Sequence, residues 1–164
     1  MLQKIYLVEK STSFLENNLI LSHSFLHDKL NIPPFLNIFN LIIMEVLLDT
    51  NFVIACVKNK IDFIEELRLL GFRVLVPREV IEELKDLRLQ VTHDSRVAID
   101  LAIVILLSKG LEKVRLGKQK VDEGLIAKGK KGAYIATLDV AIKRLVPNRV
   151  TISAAKNSLQ VERT

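Results

Sequence analysis

From Met44 onward the apolar positions follow two alternating periods. Met44 to Leu48 is a short apolar run that stops on Asp49, and a similar run, Ala133 to Ala136, leads to Thr137 and Asp139. Short apolar runs of this kind read as buried strands, whereas apolar residues three and four apart read as one face of a helix. Thr50 to Lys58 reads as a helix. Ile61 to Leu70 reads as another, with Ile61, Ile64, Leu67 and Leu69 or Leu70 on its apolar face and Gly71 ending it. Phe72 to Val76 is the second strand, and Pro77 takes a first-turn position of a helix carrying Val80, Ile81, Leu84 and Leu87. Asp94 or Ser95 is expected to cap a helix through Ser108, with Val97, Leu101, Val104, Ile105 and Leu107 inward and Gly110 as terminator. Val114 to Leu116 is a short strand, and Asp122 opens a helix. Ala133 to Ala136 is the fourth strand, and a helix at Val140 to Val146 and a strand at Val150 to Ile152 complete the pattern.

Strands alternating with helices predict an α/β fold with a central parallel sheet, helices on both faces and right-handed crossovers. In such a sheet the residues just past the carboxyl ends of the strands line the ligand crevice. Asp49 and Asp139 are therefore expected to face one another across one site.

Composition changes the picture at Met44. Before it, Lys4, Lys10 and Lys29 balance Glu9, Glu16 and Asp28, so the whole net charge of +5 lies downstream. Asparagine is dense before the break and sparse after it, and four of the seven phenylalanines precede it. Two readings of residues 1–43 stay open: an upstream extension from a misassigned start codon, or a helical arm packing on the domain or a partner through Phe25, Leu26, Leu30 and Phe35. The expected organisation is an extension at 1–43, a compact domain at 44–153 and a tail at 154–164.

At 164 residues, with 49% hydrophobic and 26% charged positions, the chain fits one globular core and neither a fibre nor a wholly disordered polymer. Cys56 is the sole cysteine, which excludes an intrachain disulfide and a cysteine-based zinc site. Polar residues interrupt the apolar amino-terminal stretches, giving no secretory signal, and Phe35 to Leu48 is a poor membrane span. A cytoplasmic protein with no membrane association is expected. The pI near 9.4 favours an anionic partner such as nucleic acid.

Four acidic positions fall near strand ends or the helix starts that follow them: Asp49, Glu82 or Glu83, Asp122 and Asp139. At ~5 Å and an effective dielectric of about 20, each ionised pair would repel by roughly 3 kcal/mol, so a converged cluster calls for a cation or protons. Hard oxygen donors select Mg²⁺ or Mn²⁺, and a Mg²⁺ that keeps water can present it to a phosphodiester. The chemistry expected is phosphate-ester hydrolysis. Each aspartate alone has a plainer reading, as the cap of the helix beginning beside it.

Taken together, Asp49-Thr50-Asn51 after a strand, Val76-Pro77-Arg78-Glu79-Val80-Ile81-Glu82-Glu83-Leu84, Val121-Asp122 and Ile135-Ala136-Thr137-Leu138-Asp139 closely resemble the PIN-domain nucleases. The match runs from about Glu45 to Ile152. The resemblance implies a three-layer α/β/α fold and Mg²⁺- or Mn²⁺-dependent endonucleolytic cleavage of single-stranded RNA. It implies Asp49, Glu83, Asp122 and Asp139 as metal ligands, with Thr50, Asn51 and Thr137 orienting ligands or water. Many members carry a further acidic or Asn residue beside the fourth motif, where this chain has Leu138 and Val140.

Lys118, Lys120, Lys128, Lys130 and Lys131 flank Asp122 in sequence, with Lys143, Arg144 and Arg149 beyond. They are expected either as a phosphate-tracking rim or as solvated helix faces. His93-Asp94 reads as a solvated loop, and the i, i+4 pair His23 and His27 lacks a third ligand. Two settings fit the resemblance. One is ribosomal RNA processing with a ribosome-assembly partner, favoured by Lys143-Arg144 after Asp139 and by the basic body. The other is a toxin of a toxin–antitoxin pair, typically a homodimer held by an antitoxin. A catalytically silent RNA-binding module is the alternative from another class. The absence of a Gly-rich phosphate loop with its lysine, and of Asp-x-Asp at Asp49, disfavours a nucleoside triphosphatase and an aspartyl-phosphate enzyme.

Overall fold

A computed structural model describes residues 44–108, 110–117 and 120–163. The expectations for residues 1–43, including His23 and His27, and for Lys118 lie outside the described residues. Six strands, β1 (Met44–Leu48), β2 (Phe72–Pro77), β3 (Glu112–Val114), β4 (Tyr134–Ala136), β5 (Asn148–Ser153) and β6 (Ser158–Arg163), form one sheet in the order β3-β2-β1-β4-β5-β6. The first five are parallel and β6 runs antiparallel to β5. The helices are α1 (Thr50–Lys58), α2 (Phe63–Leu69), α3 (Arg78–Gln90), α4 (His93–Leu107), α5 (Val121–Lys130) and α6 (Val140–Leu145).

The two-residue period of the strands divides the core. Val46, Leu48, Val74, Val76, Tyr134 and Ala136 face one side and pack with Phe52, Phe63, Leu84 and Leu106 from α1 to α4. Leu47, Leu75 and Ile135 face the other side and pack with Leu125, Ile142 and Val146. The result is the expected α/β/α sandwich. β1 sits at the centre, with β2 and β3 on one side and β4 on the other, so the chain reverses its winding direction beside β1. The reversal opens a crevice at the carboxyl ends of β1 and β4.

Four local expectations are corrected. Residues 158–163 form an edge strand and not a tail. Arg149 Nε donates to Glu162 at 2.7 Å, Thr151 Oγ1 donates to Glu162 at 2.9 Å, and the Leu159 N–H donates to Glu66 at 2.8 Å. The strand's apolar face is limited to Leu159 and Val161, too short an alternation to stand out in the sequence. In α4 the residues expected inward, Val97, Leu101, Val104 and Leu107, are exposed, while Ile99, Ala102 and Leu106 are buried. That helix is apolar nearly all round, so periodicity alone does not select a face. Its N-cap is Thr92, ahead of Asp94 and Ser95, with no side-chain capping bond. Leu69 and Leu70 are exposed beside the Gly71 terminator, and Ile61, Phe63 and Leu67 supply the buried positions there. No helix among the described residues is long and apolar enough to cross a membrane.

Candidate functional site

The register of the central strands brings the two aspartate motifs together. Leu48 of β1 pairs with Ala136 of β4, and the Asp49 N–H donates to the Ala136 carbonyl at 3.0 Å. The next residues of each strand, Asp49 and Thr137, therefore emerge side by side. Thr137 Oγ1 donates to Asp49 Oδ2 at 2.8 Å and accepts from the Asp139 N–H at 3.0 Å. Thr137 is fully buried and Asp49 nearly so. The threonine hydroxyl thus links both aspartate motifs while fixing the rotamer of the first.

Glu83 arrives from α3. Thr50 Oγ1, at the start of α1, donates a hydrogen bond to Glu83 Oε2, which ties the glutamate to the residue beside Asp49. Adjacent helical residues point about 100° apart, so Glu83 rather than Glu82 faces the site. Asp122 comes from the first turn of α5. Burial, first, pushes the Asp49 carboxyl up from 3.8 to about 6; the Thr137 hydrogen bond opposes the rise, and the negative charges of Asp122 and then Glu83 add to it. Three carboxylates on three different helices or strand ends therefore share one electrostatic environment.

The capping readings separate cleanly. Asp49 makes no side-chain capping bond to α1. Asp122 lies inside α5, after its N-cap Lys120. Asp139 does cap α6, its Oδ1 accepting from the Ala141 N–H at 2.6 Å and the Ile142 N–H at 3.3 Å. Asn51 is exposed on the first turn of α1.

The donors fit a hard divalent cation in chemistry: all are carboxylates, and Asp49 is nearly buried, with its carboxyl raised first by that burial and then by the charges of Asp122 and Glu83. In the described geometry no group of three or more His, Cys, Asp or Glu side chains stands arranged to hold an ion. Glu83 is turned onto Thr50 and Asp139 onto its own helix. A groove of about 640 Å³ lined by Val57, Ile61, Phe63, Ile64, Leu101 and Val104 contains none of these carboxylates.

The expected basic rim is largely dispersed. Lys128, Lys130 and Lys131 are exposed, but they sit at the end of α5 opposite Asp122, about 9 Å or more away along the axis at 1.5 Å per residue. Arg149 is committed to Glu162 and the Lys143 carbonyl. Lys120, the N-cap of α5, remains beside Asp122, and Arg78, the exposed first residue of α3 after β2, joins it at the strand ends. Arg78 lies within an acidic motif and carries no signal of its own in the sequence. Glu79 is equally silent in the sequence, yet its Oε1 accepts from the Leu116 N–H at 3.0 Å, a contact 37 residues apart in the chain.

Comparison with known proteins agrees with this architecture. The family model described as PIN like domain matches residues 46–155. The solved structure titled "Structure of the PIN domain endonuclease Utp24" is 20% identical, with a TM-score of 0.60 over 73% of this chain and 92% of that one. VapBC2 from Rickettsia felis, bound to a DNA fragment from its promoter, is 16% identical with a TM-score of 0.43 over 62% of this chain and 93% of that one. No curated protein matches the sequence.

Proposed function

The chain belongs to the PIN like domain family, and from that premise we propose that it is a Mg²⁺- or Mn²⁺-dependent endoribonuclease acting on single-stranded RNA. The observation that carries the proposal is the placement of Asp49 at the end of β1, held by Thr137 and neighboured by the Thr50–Glu83 hydrogen bond, with its carboxyl raised to about 6 chiefly by burial and further by the charges of Asp122 and Glu83. The name of the similar PIN domain endonuclease Utp24 supports the same reaction class.

Asp49, Glu83 and Asp122 would hold the ion, and Asp139 would join through the carboxylate that caps α6. A bound divalent cation supplies charge neutralisation at phosphate and makes water more acidic. The chain's own residues do the rest. Thr137 holds Asp49 in one rotamer and keeps its carboxyl from rising further. Thr50 orients Glu83 from behind. Exposed Lys120 and Arg78, at the starts of α5 and α3, would receive phosphates flanking the scissile bond, and exposed Asn51 would orient water or substrate. No Trp is present, so backbone charge rather than base stacking would dominate binding. Precursor ribosomal RNA is the proposed physiological substrate, supported by the net charge of +5.

The test is cleavage of a labelled single-stranded RNA in Mn²⁺, with end-group analysis. Products with 5′-phosphate and 3′-hydroxyl ends, lost on chelation and in Asp49→Asn and Asp122→Asn, are expected. Cleavage that survives both substitutions, or cyclic phosphate ends, would overturn the proposal. RNA binding without cleavage in any divalent cation would instead assign a silent binding module.

A further inference from the structure

We propose that Glu79 is a positioning residue for Asp122, acting through Leu116; this rests on the reading of Asp122 as part of the metal centre. Glu79 lies one helical turn before Glu83 on α3, on the same side of the helix. Its Oε1 accepts the Leu116 N–H at 3.0 Å, and its Oε2 is buried, with no hydrogen-bond partner among the described residues. Leu116 lies between β3 and α5, the connection that delivers Asp122 to the crevice. Its side chain is buried against the first turns of α5: a Cβ placed on Gly124 would meet the Leu116 Cβ at 2.6 Å.

Leu116 is therefore clamped from two directions. Its amide is fixed by a side chain from the helix that carries Glu83, and its side chain seats α5 two residues beyond Asp122. Gly124 permits the close approach, because any larger residue would push α5 away from the connection. The clamp thus links the helix that presents Glu83 to the helix that presents Asp122. Glu79 accordingly sets the separation of two metal-ligand candidates without touching an ion itself.

The test uses the full chain and four variants: Glu79→Ala, Glu79→Gln, Asp122→Asn and Glu79→Ala combined with Asp122→Asn. Amide hydrogen exchange reads the clamp directly. Glu79→Ala should accelerate exchange across residues 115–124 while leaving α1 unchanged, and Glu79→Gln, which keeps an acceptor for Leu116, should restore protection. Mn²⁺ affinity, measured calorimetrically without RNA, should fall about tenfold in Glu79→Ala, the scale found for residues that orient metal ligands, and stay near wild type in Glu79→Gln. Adding Glu79→Ala to Asp122→Asn should cost no further affinity, since the positioned ligand is already gone. Unchanged exchange at 115–124, equal damage from Gln and Ala, or additive losses in the combined variant would each overturn the proposal. Wild-type protein that neither binds Mn²⁺ nor cleaves RNA would instead overturn the metal reading, and the exchange data would still decide whether the clamp exists.

Discussion

Replacing Asp49 with Asn should make the protein more stable at neutral pH while abolishing its activity. The Asp49 carboxyl is raised from 3.8 to about 6, chiefly by burial and then by Asp122 and Glu83. A folded-state value above the unfolded one means that the protonated form is favoured by folding. That contribution is fully present below pH 3.8 and is lost as pH rises through about 6. The difference corresponds to about 3 kcal/mol at 1.36 kcal/mol per pH unit. Asparagine mimics the protonated acid and keeps an oxygen to accept from Thr137, so it escapes the cost of the buried charge. In chelator, thermal unfolding of Asp49→Asn at pH 7.5 should exceed wild type by about 3 kcal/mol, or on the order of 10 °C for a domain of this size. At pH 4 the two should nearly coincide. Saturating Mn²⁺ should narrow the gap at pH 7.5 by stabilising only wild type. A variant no more stable than wild type at pH 7.5, or a difference that does not change with pH, would refute the account of Asp49.

Three further outcomes follow from the same geometry. Thr137→Val removes the hydroxyl that lowers the Asp49 carboxyl, so the acid limb of the pH–activity profile should move to higher pH; an unmoved limb would deny the contact its role. Gly129→Ala would put a Cβ 2.5 Å from Val146 Cγ1 and 3.1 Å from Ile135 Cγ1. Overpacking of this kind costs about 1–3 kcal/mol, more than the roughly 1 kcal/mol that helix propensity returns, so urea denaturation should show net destabilisation. Cys56 is fully buried and its thiol is pushed up to about 12, chiefly by burial, so a disulfide reagent should label it only at the rate of unfolding, and rapid labelling of native protein would contradict the fold around it.

The sheet was legible because its strands are apolar on both faces: Val46-Leu47-Leu48 and Val74-Leu75-Val76 bury every residue and permit no other reading. The aspartate at the end of β1 was legible for the same reason, since the apolar run stops there. β6 was not, because its apolar face is only Leu159 and Val161, two half-buried residues alternating with Gln160 and Glu162, and Glu162 is held by hydrogen bonds from β5 that leave no trace in the local pattern. The exposed side of α4 was hidden by an excess of apolar residues. The basic residues misled through sequence proximity: Lys128 to Lys131 follow Asp122 closely in the chain, but α5 carries them to its far end. Glu79 gave no signal at all, because its partner is a backbone amide in a connection 37 residues away.

In the proposed metal centre Asp49, Glu83 and Asp122 share one cation. The direct test is calorimetric Mn²⁺ titration of the RNA-free protein at pH 6 in two buffers of different ionisation enthalpy. With the Asp49 carboxyl at about 6, roughly half of it is protonated, and cation binding should release about half a proton per ion from wild type. Asp49→Asn should bind far more weakly and release none. Wild-type binding without proton release, together with unchanged affinity in Asp49→Asn, would contradict a metal centre at Asp49.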